Sequence, residues 1–129
     1  MTKEKYNEIS KAIIGAAIEV HKTLGAGLIE KYYGYALVHE LKLKGYKVET
    51  EKYIPFKYKD LIIKDACRAD LIVEDSIIVE LKATENDNSL YTSQLLTYLK
   101  MSNMKLGLVL NFSREKLING IERVINGQL

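Results

Sequence analysis

Apolar residues recur along the first part of the chain at helical spacing. Ile9, Ile13, Ala16, Val20 and Leu24 stand three or four apart, and Ala12 and Ala17 widen the stripe. This period predicts a helix over Tyr6–Leu24, stopped by Gly25. After Gly25-Ala26-Gly27 a second helix is predicted from about Leu28 to Lys44. Lys42 and Lys44 suit its C-terminal dipole, and Gly45 ends it. Glu30 falls in its first turn, where an acidic side chain is favoured whatever the function, and shares a face with Tyr33 and Leu37. Glu19, His21, His39 and Glu40 read as surface or packing residues.

From Tyr46 to Ala83 the period shortens to that of strands. Ile54, Phe56 and Tyr58 alternate with other residues, and Lys59-Asp60 makes a turn into Leu61-Ile62-Ile63. Pro55 has no amide hydrogen to donate, which puts its strand at a sheet edge. Two further strands, through Asp70–Val73 and over Ile77–Lys82, complete a three-strand meander. Asn86 to Ser89 is polar and offers helix caps. A helix over Leu90 to about Met101 follows, with Tyr91, Leu95, Tyr98 and Leu99 on its apolar side. Lys105–Leu110 is a short apolar strand, and Ser113 is placed to cap a last helix with Leu117, Ile121, Val124 and Ile125 inward. The crossover through the third helix makes the last two strands parallel. The fold expected is a mixed α/β sheet with helices on both faces.

Charge breaks the apolar pattern in one place. In Arg68–Ala83, RADLIVEDSIIVELKA, Asp70 interrupts one strand while Glu80 and Lys82 interrupt the next. Facing residues of an antiparallel pair point the same way. Asp70 therefore faces Glu80 only if the connecting loop is odd, most simply Glu74-Asp75-Ser76; an even loop sends Glu80 to the opposite face.

Composition narrows the classes without choosing among them. The 129 residues, 47% hydrophobic and 28% charged, suit one globular domain spanning 1–129. A net charge of +2 permits a polyanionic partner only through a local patch. Seven lysines between Lys42 and Lys64, against Glu49, Glu51 and Asp60, could form one, although such a run is more often a solvated face. Cys67 is alone, which excludes an internal disulfide and a multi-thiolate zinc site. No apolar run approaches the ~18 residues of a membrane span. The first residues lack the apolar core of a secretory signal. A cytoplasmic protein with no membrane partner is expected.

Two adjacent carboxylates repel unless something neutralises them. Mg²⁺ or Mn²⁺ takes oxygen ligands from one or two carboxylates, and an ammonium such as Lys82 can orient a water and stabilise charge on a phosphate. The group suits metal-assisted phosphodiester hydrolysis. Two plainer readings stand beside it: a solvated strand face with a cross-strand ion pair of little value, and a buried ion-pair set. The apolar character of both strands favours a functional cluster, because charges among buried strands need partners.

Asp70, nine residues, then Glu80-Leu81-Lys82 resembles the bipartite motif of the PD-(D/E)XK nuclease superfamily. Gly27-Leu28-Ile29-Glu30-Lys31-Tyr32-Tyr33 is similar to the signature of the GxxExxY proteins, a small group within it. Arg68-Ala69-Asp70-Leu71, Val79–Ala83, Gln94-Leu95-Leu96-Thr97-Tyr98-Leu99 and Leu110-Asn111-Phe112 resemble that group's other blocks. The resemblance implies a restriction-endonuclease-like, three-layer α/β/α fold and a Mg²⁺-dependent nuclease acting on DNA or RNA. It implies Asp70, Glu80 and Glu30 as metal ligands and Lys82 as the catalytic lysine. Gln94 and Tyr98 would be the pair that supports the site and the nucleic-acid backbone. Ala69 stands where the superfamily name puts Pro. A non-catalytic module for nucleic acid or a protein partner on the same scaffold is the alternative, and a homodimer stays open.

Overall fold

The computed structural model describes residues 1–86 and 89–129. Helix α1 (Lys3–Leu24) starts where the Thr2 side chain accepts the Lys5 N–H at 3.1 Å, a cap worth about 1 kcal/mol. It stops at Gly25, whose φ of 75° turns the chain while its N–H donates to the His21 carbonyl at 2.8 Å. Helix α2 (Glu30–Leu43) begins two residues later than the apolar pattern predicts. His21 is a packing residue: it is buried, with Nε2 2.8 Å from the Arg114 carbonyl oxygen.

The strands are β1 (Val48–Tyr58), β2 (Leu61–Val73), β3 (Ile77–Lys82), β4 (Leu106–Asn111) and β5 (Ile121–Ile125), with helix α3 (Ser89–Ser102) between β3 and β4. They form one sheet in the order β1-β2-β3-β4-β5, antiparallel throughout except for the parallel β3–β4 pair. Pro55 lies on edge strand β1 as expected, at a register shift between Ile54 and Phe56. Lys59 turns the hairpin with a positive φ of 54°. The far half of that hairpin is exposed, from Phe56 through Ile63, and so are the seven lysines of 42–64.

Helices cover both faces. Ile9, Ile13 and Val20 of α1 and Leu37 and Leu41 of α2 pack on Val73, Val79, Leu108 and Leu110. Leu95 and Leu99 of α3 pack on Ile72, Ile78 and Val109 of the opposite face. Burying each such leucine stabilises the fold by about 1.5–3 kcal/mol. α3 sits so close that a Cβ at Gly107 would meet Leu95 side-chain carbons at 2.8 Å. β3 and β4 are buried almost end to end, as strands covered on both sides are.

The C-terminal helix predicted from Ser113 is not formed. Leu117–Gly120 makes a single 3₁₀ turn, and Ile121–Ile125 pairs antiparallel with β4 as a fifth strand. Two physical reasons are visible. β4 would otherwise leave an apolar edge unpaired, and Gly120 passes so close to the Asn111 carbonyl oxygen that no Cβ fits. The predicted caps at Asp87 and Asn88 lie outside the described residues.

Candidate active site

The loop between β2 and β3 has the odd parity that a shared face requires. Val73 pairs with Ile77, Ile72 with Ile78 and Leu71 with Val79, leaving Glu74-Asp75-Ser76 as a three-residue turn. Glu74 and Asp75 both take positive φ, 52° and 53°, and the Ser76 N–H closes the turn on the Val73 carbonyl at 3.0 Å.

The ladder then ends, and a side chain takes over. One step beyond Leu71–Val79, Asp70 stands opposite Glu80, and its Oδ2 accepts the Leu81 N–H at 2.8 Å. A continuing ladder would present a backbone carbonyl there. Across the sheet Glu51 of β1, with φ 50°, lies between the Thr50–Leu71 and Lys52–Ala69 pairs. β1 is thus distorted opposite Asp70, which interacts with Glu80 and lines an open cleft against α2.

Glu80 sits in the middle of the sheet. It is 6% exposed, and its Oε1 has no hydrogen-bond partner among the described residues. Burial, and then the negative charge of Asp70, push its pKa from 4.5 up to about 9, while Lys82 pulls weakly the other way. Ile78 packs toward α3, so alternation sends Glu80 and Lys82 to that same face. The Lys82 ammonium rests 4.6 Å from the ring centroid of Tyr91 on α3. Tyr98, two turns along that helix, is partly buried against the same cluster. Burial raises its pKa, and negative charge on Cys67, Glu80 and Asp70 adds to the effect. Asp70, Glu80, Lys82 and Tyr98 therefore form one electrostatic group.

The other two candidates lie further out. Gln94 is exposed on α3, one turn before Tyr98. Glu30 is exposed in the first turn of α2 and lines, with Asp70, Glu51 and Arg68, a cleft of about 600 Å³. Among the described residues no three His, Cys, Asp or Glu side chains gather into a metal cage. The donor set is nonetheless suited to a hard divalent cation. Two carboxylates meet, one of them buried with an unsatisfied oxygen, and that oxygen is what a cation would use.

Glu30 is placed by Tyr33. That side chain is fully buried, stacked on Phe112 with ring centroids 4.3 Å apart. Its hydroxyl accepts the Gly27 and Leu28 N–H groups at 3.0 and 3.1 Å and donates to the Gly25 carbonyl at 2.5 Å. The tyrosine thereby holds the loop from which α2 starts.

Apolar periodicity alone passes over one element of the site. Lys31, Tyr35, Val38 and Lys42 recur at i, i+4, i+7 and i+11, one face of α2, and all four line the cleft that holds Asp70. Their spacing was the available signal. Gly34 lets this face approach the sheet, since a Cβ there would stand 3.2 Å from Leu81 Cδ1.

A helix-covered mixed sheet, with two carboxylates and a lysine on its paired inner strands, defines a restriction-endonuclease-like α/β protein. The family comparison agrees. A model described as the PD-(D/E)XK nuclease superfamily matches residues 7–124, and the chain belongs to that superfamily, whose members are mostly metal-dependent nucleases. No curated protein and no solved structure matches the chain.

Proposed function

We propose that the chain is a divalent-metal-dependent nuclease of the GxxExxY group, hydrolysing phosphodiester bonds of DNA or RNA. The observation that carries this reading is the Glu80 carboxyl, buried beside Asp70 with an oxygen unpartnered among the described residues. A carboxylate pair of this kind is costly for a fold to keep without a ligand.

Asp70 and Glu80 would hold Mg²⁺ or Mn²⁺. Such a cation, when bound, supplies Lewis acidity toward a phosphate oxygen and makes a bound water more acidic. The Leu81 N–H fixes one Asp70 oxygen and so orients the carboxylate that would serve as ligand. Lys82, on the face of Glu80, orients a water and stabilises the charge that grows on the phosphate. Glu30 borders the cleft from α2 and would add a carboxylate at its rim. Tyr98 keeps its hydroxyl proton beside the carboxylates and supports them, and Gln94 is placed to meet the nucleic-acid backbone. The Gly27–Tyr33 signature fits the group physically, because Tyr33 fixes the loop that presents Glu30.

The test is cleavage of single- and double-stranded DNA and RNA with Mg²⁺, with Mn²⁺ and with EDTA. Metal-dependent cleavage lost in Glu80→Ala is expected. Equal cleavage by wild type and Glu80→Ala would place the chemistry elsewhere, and salt-sensitive binding without cleavage would favour a binding module.

A further inference from the structure

The cleft beside Asp70 has two unlike walls. On one side stands the α2 stripe, with Lys31, Lys42 and Tyr35, the last 68% exposed. On the other are Arg68 and Asp70 of β2. Tyr35 meets Tyr32 in a T-shaped pair, ring centroids 6.2 Å apart and planes at 77°, which steadies its orientation. Arg68 reaches Glu51 only at 4.0 Å, and the Lys31 ammonium lies 5.3 Å from the Tyr32 ring centroid.

The space is small. About 600 Å³ is the scale of a drug-sized ligand, hence of roughly one or two nucleotides. A second hollow of about 590 Å³, bordered by Gly27, Ala83 and Ser113, shares Glu30 and Lys31 with the first. The two hollows adjoin at the start of α2. One exposed aromatic ring among cations suits an unpaired base, which can stack where paired bases cannot.

We propose that this groove binds single-stranded nucleic acid, with Tyr35 stacking a base and Lys31, Lys42 and Arg68 contacting the backbone. The proposal rests on the nuclease reading for its substrate class and adds strandedness to it. Stacking on one ring is the sequence-tolerant part of the affinity, and the electrostatic part is small, since Lys31, Lys42 and Arg68 stand against Glu30, Glu51 and Asp70.

The experiment measures binding in EDTA, where no metal-dependent cleavage occurs. Fluorescence anisotropy compares a short labelled oligonucleotide as a single strand and as a duplex, in a DNA arm and an RNA arm that tell the two sources apart. In at least one arm the single strand should bind about tenfold or more tighter than its duplex. Tyr35→Ala should weaken single-strand binding about 5- to 100-fold while Tyr35→Phe stays near wild type. The slope of log affinity against log salt should be about −2, falling by about 0.7 in Lys31→Ala. Duplex binding equal to or tighter than single-strand binding, no binding in either arm, or indifference to Tyr35→Ala overturns the proposal. Absence of cleavage with Tyr35-dependent binding intact would instead sink only the nuclease reading.

Discussion

Replacing Glu80 by Gln tests the site through stability before any substrate is added. In the folded protein the carboxyl holds its proton up to about pH 9, against 4.5 ordinarily. Below pH 4.5 it is protonated in both folded and unfolded chains and causes no pH dependence. Between 4.5 and about 9 the folded protein keeps a proton that the unfolded chain has released, so stability falls as pH rises. The slope is about 1.4 kcal/mol per pH unit, or about 6 kcal/mol across the window, a large share of a domain's ~5–15 kcal/mol. Gln keeps the shape and cannot ionise. In EDTA, denaturant unfolding from pH 5 to 9 should therefore show Glu80→Gln gaining on wild type, by about 3 kcal/mol at pH 7 relative to pH 4.5. Metal acts in the opposite sense. At pH 7 only about one molecule in a hundred carries an ionised Glu80, so apparent Mn²⁺ affinity should rise about tenfold per pH unit and level off near pH 9. Mn²⁺ should stabilise wild type and leave Glu80→Gln unmoved. Parallel pH curves in EDTA would show that Glu80 ionises normally, and equal stabilisation of both proteins by Mn²⁺ would put the cation elsewhere.

Asp70 has two tasks that different substitutions separate. Asp70→Asn keeps an acceptor for the Leu81 N–H and should retain wild-type stability while losing cleavage; Asp70→Ala should also lose about 1–3 kcal/mol in denaturant unfolding. Lys82→Ala should reduce the cleavage rate about 100-fold or more while the Mn²⁺-induced rise in Tm persists, since the lysine stabilises charge and holds no metal. Tyr33→Phe keeps the stack on Phe112 but leaves the Gly27 and Leu28 N–H groups and the Gly25 carbonyl without the hydroxyl. It should cost about 1–3 kcal/mol in chemical denaturation and speed amide exchange at the start of α2.

What the chain discloses by itself is what is decided locally. Gly25 and Gly45 bound the first two helices because their positive φ suits glycine, and Pro55 marks an edge because it lacks a donor. The odd loop at Glu74–Ser76 follows from where the apolar runs stop, and it carries the most consequential feature, the shared face of Asp70 and Glu80. The C-terminal segment misleads for a nonlocal reason. Leu117, Ile121 and Val124 fit a helical period, yet the free edge of β4 and the tight passage at Gly120 decide for a strand. On α2 the buried stripe of Tyr33, Leu37 and Leu41 is conspicuous, whereas the cleft stripe from Lys31 to Lys42 gains meaning only once β2 stands opposite it. The depth of Glu80 is of the same kind, because it depends on α3 lying over β3.

That depth also bears on the reading of the cluster as a purely structural one. A buried ion-pair set stabilises only when each charge meets an opposite charge in good geometry. The ion pairs among the described residues join Lys5 to Glu8, Lys47 to Glu49 and Asp75, Lys52 to Glu49 and Arg68 to Glu51. None includes Asp70, Glu80 or Lys82, and the Lys82 ammonium lies over Tyr91 instead. A solvated strand face fails as well, since Glu80 is 6% exposed and its carboxyl is pushed toward neutrality rather than hydrated. Two carboxyl groups are thus held together at the point where β2 stops pairing with β3, one anchored by a backbone N–H and one with an oxygen unpartnered among the described residues. Each feature opposes folding taken singly. Together they describe a receptor for positive charge whose own cations are turned to other tasks.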